Sequence, residues 1–468
     1  MPDPAEPQSF TIISPDKKSI SPQDKESIAN NPNRIITPAT FILNEQNQPS
    51  AVEIGDQHYE VRLKTQTTTI ANFLDLAPQN KHQLFSSISS NPDDYRFRPL
   101  TGGNPFKHPL ALAFYEQSIF THQVQMVNQI SEAFEQDSKD ISPPEIKEFT
   151  KKVNDQISKD AAEESNQYFD YLRQTFGDSP VTIRRYLVNS RPPIEHLSIT
   201  LGKIDFTNPQ DEFDIDAYAI STIHFANTVL HEPPPKKPTI IFLTALPETE
   251  TGSGNYQNTL CYKQGSCCGF FNKNVIVVDS LPSTKLASFD EDKIKTKITF
   301  NQEFLREITI HETAHHMDSQ IESHTSCQKE GFAVSFEYDF DYSKIKNLLY
   351  SNHSQFRHQT TPSRLLEVFS TNPPQVITKE RYFLTGAFLS WIYQHHGPNA
   401  FISFYHHLAN PQIYPNEKPT HRALASLTLA LQTDKKSPPT PEDYQQSQNL
   451  IADFLEYINT PPSLQEEY

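Results

Sequence analysis

Glycine is scarce in this chain, 12 of 468 residues, whereas proline reaches 37. Phosphate-cradling loops need clustered glycines so that backbone N–H groups can crowd the ligand, and the sequence has no such cluster. Stiff, proline-punctuated connections are expected instead. Basic residues are outnumbered too: 40 Lys and Arg against 57 Asp and Glu leave a formal charge of −17. Without basic patches, neither nucleic acid nor an anionic membrane surface is an expected partner. No stretch approaches the roughly 20 consecutive apolar residues of a membrane span. The first 33 residues, rich in Ser, Pro, Asp and Lys, lack the apolar core of about 7–15 residues that a secretion signal needs. Residues 1–34 read as a disordered arm. A cytoplasmic protein is expected, with export by a signal-independent route as the alternative. The four cysteines are Cys261, Cys267, Cys268 and Cys327. They allow two disulfides, one of them tying the strand region to the loop before Glu330, or four free thiols in a reducing compartment. Adjacent Cys267 and Cys268 lack the spacing of a zinc-binding pair.

What is present is a five-residue run, His311-Glu312-Thr313-Ala314-His315. On a helix, a four-residue spacing sends both imidazoles out of one face, where two neutral ring nitrogens can bind one Zn²⁺. A carboxylate directly after the first histidine can take a proton from a metal-bound water without binding the metal itself. Phe304, Leu305 and Ile308 continue the same stripe at helical spacing, with Asn301 as a candidate cap and Glu303 in the first turn. The third ligand is expected from a returning second helix. Two candidates stand there, Glu330 and Glu337, seven residues apart on one helix face. Asp318, beyond the histidines, is a candidate acceptor for a ligand imidazole. His316 reads as a solvated or outer histidine, and His324 as a surface one.

The His-Glu-x-x-His run followed by Glu330-Gly331-Phe332-Ala333 resembles the gluzincin branch of zinc metallopeptidases, in particular its peptidase-MA-like group. The resemblance makes Glu330 the third ligand, with water in the fourth position. It extends to Tyr382-Phe383-Leu384-Thr385-Gly386-Ala387, running on to Trp391, Tyr393 and His396-Gly397. By the same resemblance Tyr382 donates to the oxyanion formed during peptide hydrolysis, although its spacing to Gly386 is four residues where the related enzymes have three. The Gly-x-Met-Glu-Asn type of run that grips a free amino terminus is absent, which favours an endopeptidase. Strands at Thr239–Leu243 and Val275–Val278 precede the zinc helix, and in such enzymes an edge strand in this order pairs with the substrate backbone. The resemblance spans roughly 237–410.

The expected fold is α+β: a zincin-like catalytic domain with a small mixed sheet and an active-site helix, then a mostly helical half, preceded by a separate amino-terminal α-rich domain. The triple proline Pro233-Pro234-Pro235 marks the expected boundary, giving an amino-terminal domain at 35–232, a peptidase domain at 236–412 and carboxy-terminal helices with a polar tail at 413–468. Helical periodicity covers Pro109 to about Glu135 and Pro144 to about Phe176, and strand patterns cover Tyr59–Leu63, Val181–Val188 and His196–Leu201. Further helices are expected at Arg422–Leu431 and Pro441–Tyr457. The activity expected is a Zn²⁺-dependent metallopeptidase acting on a peptide or protein substrate, with Glu312 as general base. The alternatives are a zincin-like scaffold without activity and a zinc hydrolase of a non-peptide substrate. Retention of Glu312 argues against the scaffold.

Overall fold

The computed structural model describes residues 34–75, 172–202, 209–234, 239–245, 269–272, 275–279, 284–287, 297–300, 302–318, 324–352, 360–369, 379–410, 418–432 and 438–461, with isolated positions between 152 and 170. The chain divides into two compact units. The first comprises 1–19, 39–220 and 235–309, and the second 20–38, 221–234 and 310–468.

The first unit is built on one mixed sheet. Its strands are β1 (Ala39–Leu43), β2 (Pro49–Ile54), β3 (Gln57–Thr69), β4 (Pro180–Val188), β5 (Ile194–Gly202), β6 (Thr239–Ala245), β7 (Gly269–Asn272) and β8 (Val275–Asp279), in spatial order β1-β2-β3-β4-β5-β6-β8-β7. The first five run antiparallel, β5, β6 and β8 run parallel, and β7 returns antiparallel. Tight hairpins set the early registers. Gly55 takes a positive φ of 61° between β2 and β3, which glycine adopts without steric cost. Asn44 Oδ1 accepts from the N–H groups of Gln46 and Gln48 to close the β1–β2 turn. A separate two-stranded ladder joins β9 (Thr284–Ala287) to β10 (Lys297–Phe300).

Strand β5 is buried along nearly its whole length, because the sheet is covered on both faces at its centre. Polar side chains there are paired. Helices in this part of the chain include the short α1 (Ile70–Asp75) and α2 (Asp214–Thr228). His196 on β5 lies opposite Tyr186 on β4, and both bond Asp216 in the first turn of α2, at 2.8 Å and 2.7 Å. Burial, then the Asp216 carboxylate, pushes the Tyr186 phenol well above its ordinary pKa, so it stays a donor.

The second unit is helical. It contains the end of α3 (Gln302–Asp318), then α4 (Ser326–Glu337), α5 (Tyr342–Asn352), α6 (Pro362–Val368), α7 (Lys379–Ala409), α8 (Pro419–Leu431) and α9 (Pro441–Asn459). Local sequence explains the starts. Thr325 and Gln328 form a reciprocal capping box ahead of α4, and Thr440 with Asp443 does the same for α9. Proline follows the cap at Pro362 and Pro441, where its missing N–H costs nothing. Inside α7, Gly397 takes a φ of 80° and Pro398 follows, so the helix breaks there and restarts. Phe332, Phe336, Phe340, Phe388, Phe401 and Phe404 supply a buried aromatic core. Phe454 of α9 joins it, its ring centroid 4.9 Å from that of Phe388.

These units differ from the boundaries expected at Pro233–Pro235 and after 412. Parallel pairing of β6 with β5 draws 235–309 into the amino-terminal sheet. The helices beyond 413 pack into the same unit as the histidine pair. Nor is either expected strand an edge: β6 and β8 are both flanked, and among the described residues the outermost strands are β1 and β7. The helical pattern at 109–135, most of that at 144–176, and the cap expected at Asn301 lie outside the described residues. Among the described residues no helix is long and apolar enough to cross a membrane.

Helices α4 and α7 approach so closely that only glycine fits at the crossing. A Cβ on Gly331 would stand 2.2 Å from Thr385 Cγ2 and 3.1 Å from the Gly386 nitrogen. One on Gly386 would stand 2.5 Å from Val334 Cγ1 and 3.2 Å from the Gly331 oxygen. Ser335 Oγ bridges the crossing, donating towards the carbonyls of Gly331 at 2.9 Å and Gly386 at 3.2 Å. Alanine at Gly331 or Gly386 gains about 1 kcal/mol of helix propensity but meets β-branched side chains that cannot swing away. Overpacking is therefore expected to win, with a net loss of about 1–2 kcal/mol for either variant in urea denaturation.

Candidate metal centre

Three donors converge where α3 meets α4. His311 and His315 leave one face of α3, their Nε2 atoms 3.1 Å apart and their rings nearly perpendicular at 77°. Glu330 of α4 brings Oε2 to 3.4 Å from His311 Nε2 and 3.5 Å from His315 Nε2. Two ligands bound at about 2.0–2.1 Å with a tetrahedral angle between them stand about 3.4 Å apart. The three atoms are thus spaced like one face of a zinc-sized tetrahedron. Two imidazoles and one carboxylate are also a donor set that zinc accepts. Among the described residues, these three form the group that can hold a metal ion.

Glu337 occupies the other side of His311. Its Oε2 lies 2.8 Å from His311 Nδ1, two helical turns along α4 from Glu330. A carboxylate there takes the Nδ1 hydrogen, fixes the ring orientation and leaves the Nε2 lone pair directed at the donor triangle. Of the two glutamates left open by spacing, Glu330 meets both Nε2 atoms and Glu337 backs one ring.

The electrostatics follow from crowding. Burial opposes the His311 imidazolium, but Glu330 and Glu337 outweigh it and hold the pKa well above the usual value. Burial likewise opposes ionisation of Glu330, and the two imidazoles outweigh it, holding that carboxyl well below the usual range. The site therefore favours a charged carboxylate facing positive charge. Glu312, only 7 % exposed, goes the other way. Burial raises its pKa, the two histidines pull it down, and Glu330 and Glu337 push it up again. A raised carboxyl pKa suits a group that must accept and then release a proton.

Other expectations land elsewhere. Asp318 does not accept from a ligand imidazole; its Oδ1 is taken by Tyr405 and His324. His324, read as a surface residue, is buried, and so is His316. The Tyr405 ring of α7, its centroid 3.8 Å from that of the imidazole, covers His324, and no local pattern near 324 signals it. Tyr382 lies half-buried on α7, one turn before Gly386, and is not part of the donor triangle. Cys327 is a free, buried thiol whose pKa burial pushes up to about 11, so of the two alternatives left open by the sequence it follows the free-thiol one. Cys261, Cys267 and Cys268 lie outside the described residues.

No protein-family model, curated protein or solved structure matches this chain.

If Glu337 orients His311, then Glu337→Gln should weaken zinc binding about 10–100-fold with little change in folding. Competition with a chromophoric chelator, beside thermal unfolding of the same sample, measures both.

Proposed function

We propose that this chain is a zinc-dependent metallopeptidase of the gluzincin type, cutting internal peptide bonds of a peptide or protein substrate. The observation that carries the reading is the triangle of His311 Nε2, His315 Nε2 and Glu330 Oε2, with edges of 3.1, 3.4 and 3.5 Å, beside the buried carboxylate of Glu312. His311, His315 and Glu330 would hold one Zn²⁺, and Glu337 would keep His311 in register. Bound zinc supplies Lewis acidity, which makes a water acidic near neutral pH and polarises a carbonyl.

The remaining work falls to side chains. The Glu312 carboxylate accepts the proton of the attacking water and carries it to the departing amine nitrogen, which breaks the C–N bond without releasing a free amide anion. Tyr382 serves as an oxyanion donor in this reading, since a phenol hydroxyl can donate without first losing a charge. Absence of an amino-terminus-gripping run favours internal cleavage. The retained Glu312 favours catalysis over a binding role.

The test uses purified wild type and Glu312→Gln. We expect about one zinc per chain in both, cleavage of unfolded casein by the wild type, and a rate lowered about 10²–10⁴-fold or more in the variant. Chelation should abolish wild-type cleavage and zinc should restore it. Wild type that retains no zinc after reconstitution would sink the reading.

A further inference from the structure

A second buried cluster lies next to the donor triangle and takes no part in the chemistry above. Asp318 is the last residue of α3, three positions beyond His315. Its Oδ1 accepts the Tyr405 hydroxyl at 2.6 Å and faces His324 Nδ1 at 2.7 Å. His324 Nε2 faces the main-chain carbonyl of Tyr405 at 2.8 Å, closing a ring of contacts between two residues and one carboxylate. The imidazole lies against the Tyr405 ring, centroids 3.8 Å apart, and Tyr405 in turn stacks on Phe332 of α4 at 4.4 Å. Lys329 Nζ stands 3.9 Å from Asp318 Oδ2. The side chains of His324 and Asp318 are 0 % and 1 % exposed.

Hydrogen counting fixes how the cluster is bonded. A carboxylate and a carbonyl can only accept, so both lines from the imidazole carry a hydrogen. The Tyr405 hydroxyl supplies a third. Each of these contacts then joins a hydrogen to an acceptor, with no lone pair opposed to another. In a water-excluded place such a network is rigid, and losing one member strands the rest, while Asp318 Oδ2 takes no hydrogen bond of its own.

Each member belongs to a different element. Asp318 ends the helix carrying His311 and His315. His324 immediately precedes Thr325, the cap of the helix carrying Glu330. Tyr405 lies on α7 beyond the Gly397 break. A tetrahedral site demands ligand positions held within about 0.2 Å, which separate helices do not provide unless something locks their ends.

We propose that Asp318, His324 and Tyr405 are positioning residues that clasp the end of α3 to the start of α4 and so set the separation of the histidine pair from Glu330. The proposal rests on the zinc reading above. None of the three need touch metal or substrate.

The experiment uses the full chain and reads zinc affinity by chelator competition, the visible spectrum of the Co²⁺-substituted protein, and thermal unfolding. Tyr405→Phe keeps the ring stack and removes one donor. Asp318→Asn keeps the shape and removes the charge. Ile451→Val, a trimmed core residue of α9, serves as the stability control. We expect both clasp variants to lose about tenfold or more in zinc affinity and to shift the Co²⁺ bands, as outer residues of metal sites do, while Ile451→Val at a comparable unfolding temperature keeps both at the wild-type value. Wild-type affinity and spectrum in Tyr405→Phe would overturn the clasp and leave the zinc reading standing. So would an equal loss in Ile451→Val. Absence of zinc and Co²⁺ binding by the wild type itself would overturn both. Should Asp318→Asn fail to fold, Tyr405→Phe decides alone, because it deletes a single hydroxyl.

Discussion

The contact at Gly331 and Gly386 governs the second unit. Two helices can approach this closely only where neither carries a Cβ, and the Ser335 hydroxyl spans the crossing to both glycine carbonyls. Because Gly331 directly follows Glu330, the crossing that seats α4 on α7 also seats the carboxylate. Glu337 stands two turns further on the same helix and reaches the far side of His311. One packing contact therefore places both glutamates, one at the Nε2 atoms and one behind a ring.

Around that contact the unit manages a concentration of charge that burial would otherwise forbid. Two imidazoles and three carboxylates (Glu312, Glu330 and Glu337) lie within one small volume. Unpaired, each buried charge would cost several kcal/mol or more, so the group persists only by mutual compensation. The directions of the shifts show that compensation at work for two of them, Glu330 driven down and His311 up, whereas burial dominates at Glu312 and raises it. Under the zinc proposal, a divalent cation would supply positive charge to the three carboxylates in place of protons.

The first unit uses a different economy. Its sheet is covered on both faces at the centre, so polar side chains there survive by pairing: Arg184 with Glu212, Arg185 with Glu195, and Tyr186 and His196 with Asp216. Four antiparallel pairings formed by neighbouring strands lead into two parallel ones that need long connections. A sequence reading that cut the chain at its prolines separated β5 from β6 and so split the sheet.

Much of the local structure was legible in the residues alone. Helical spacing put His311 and His315 on one face, because side-chain direction in a helix depends only on position along it. Strands at Val181–Val188 and His196–Leu201 and helices at Arg422–Leu431 and Pro441–Tyr457 were visible for the same reason. Prolines and capping threonines marked several starts. Tertiary structure alone decided which glutamate reaches the ring nitrogens and which backs His311, since both share one face of α4 and differ only in height. It also decided the partner of Asp318, the burial of His324 and the strand order of the sheet. These depend on residues far apart in the chain meeting in space, as Asp318 and Tyr405 do across 87 positions. Periodicity reports which way a side chain leaves its own element. It carries no information about what another element places opposite.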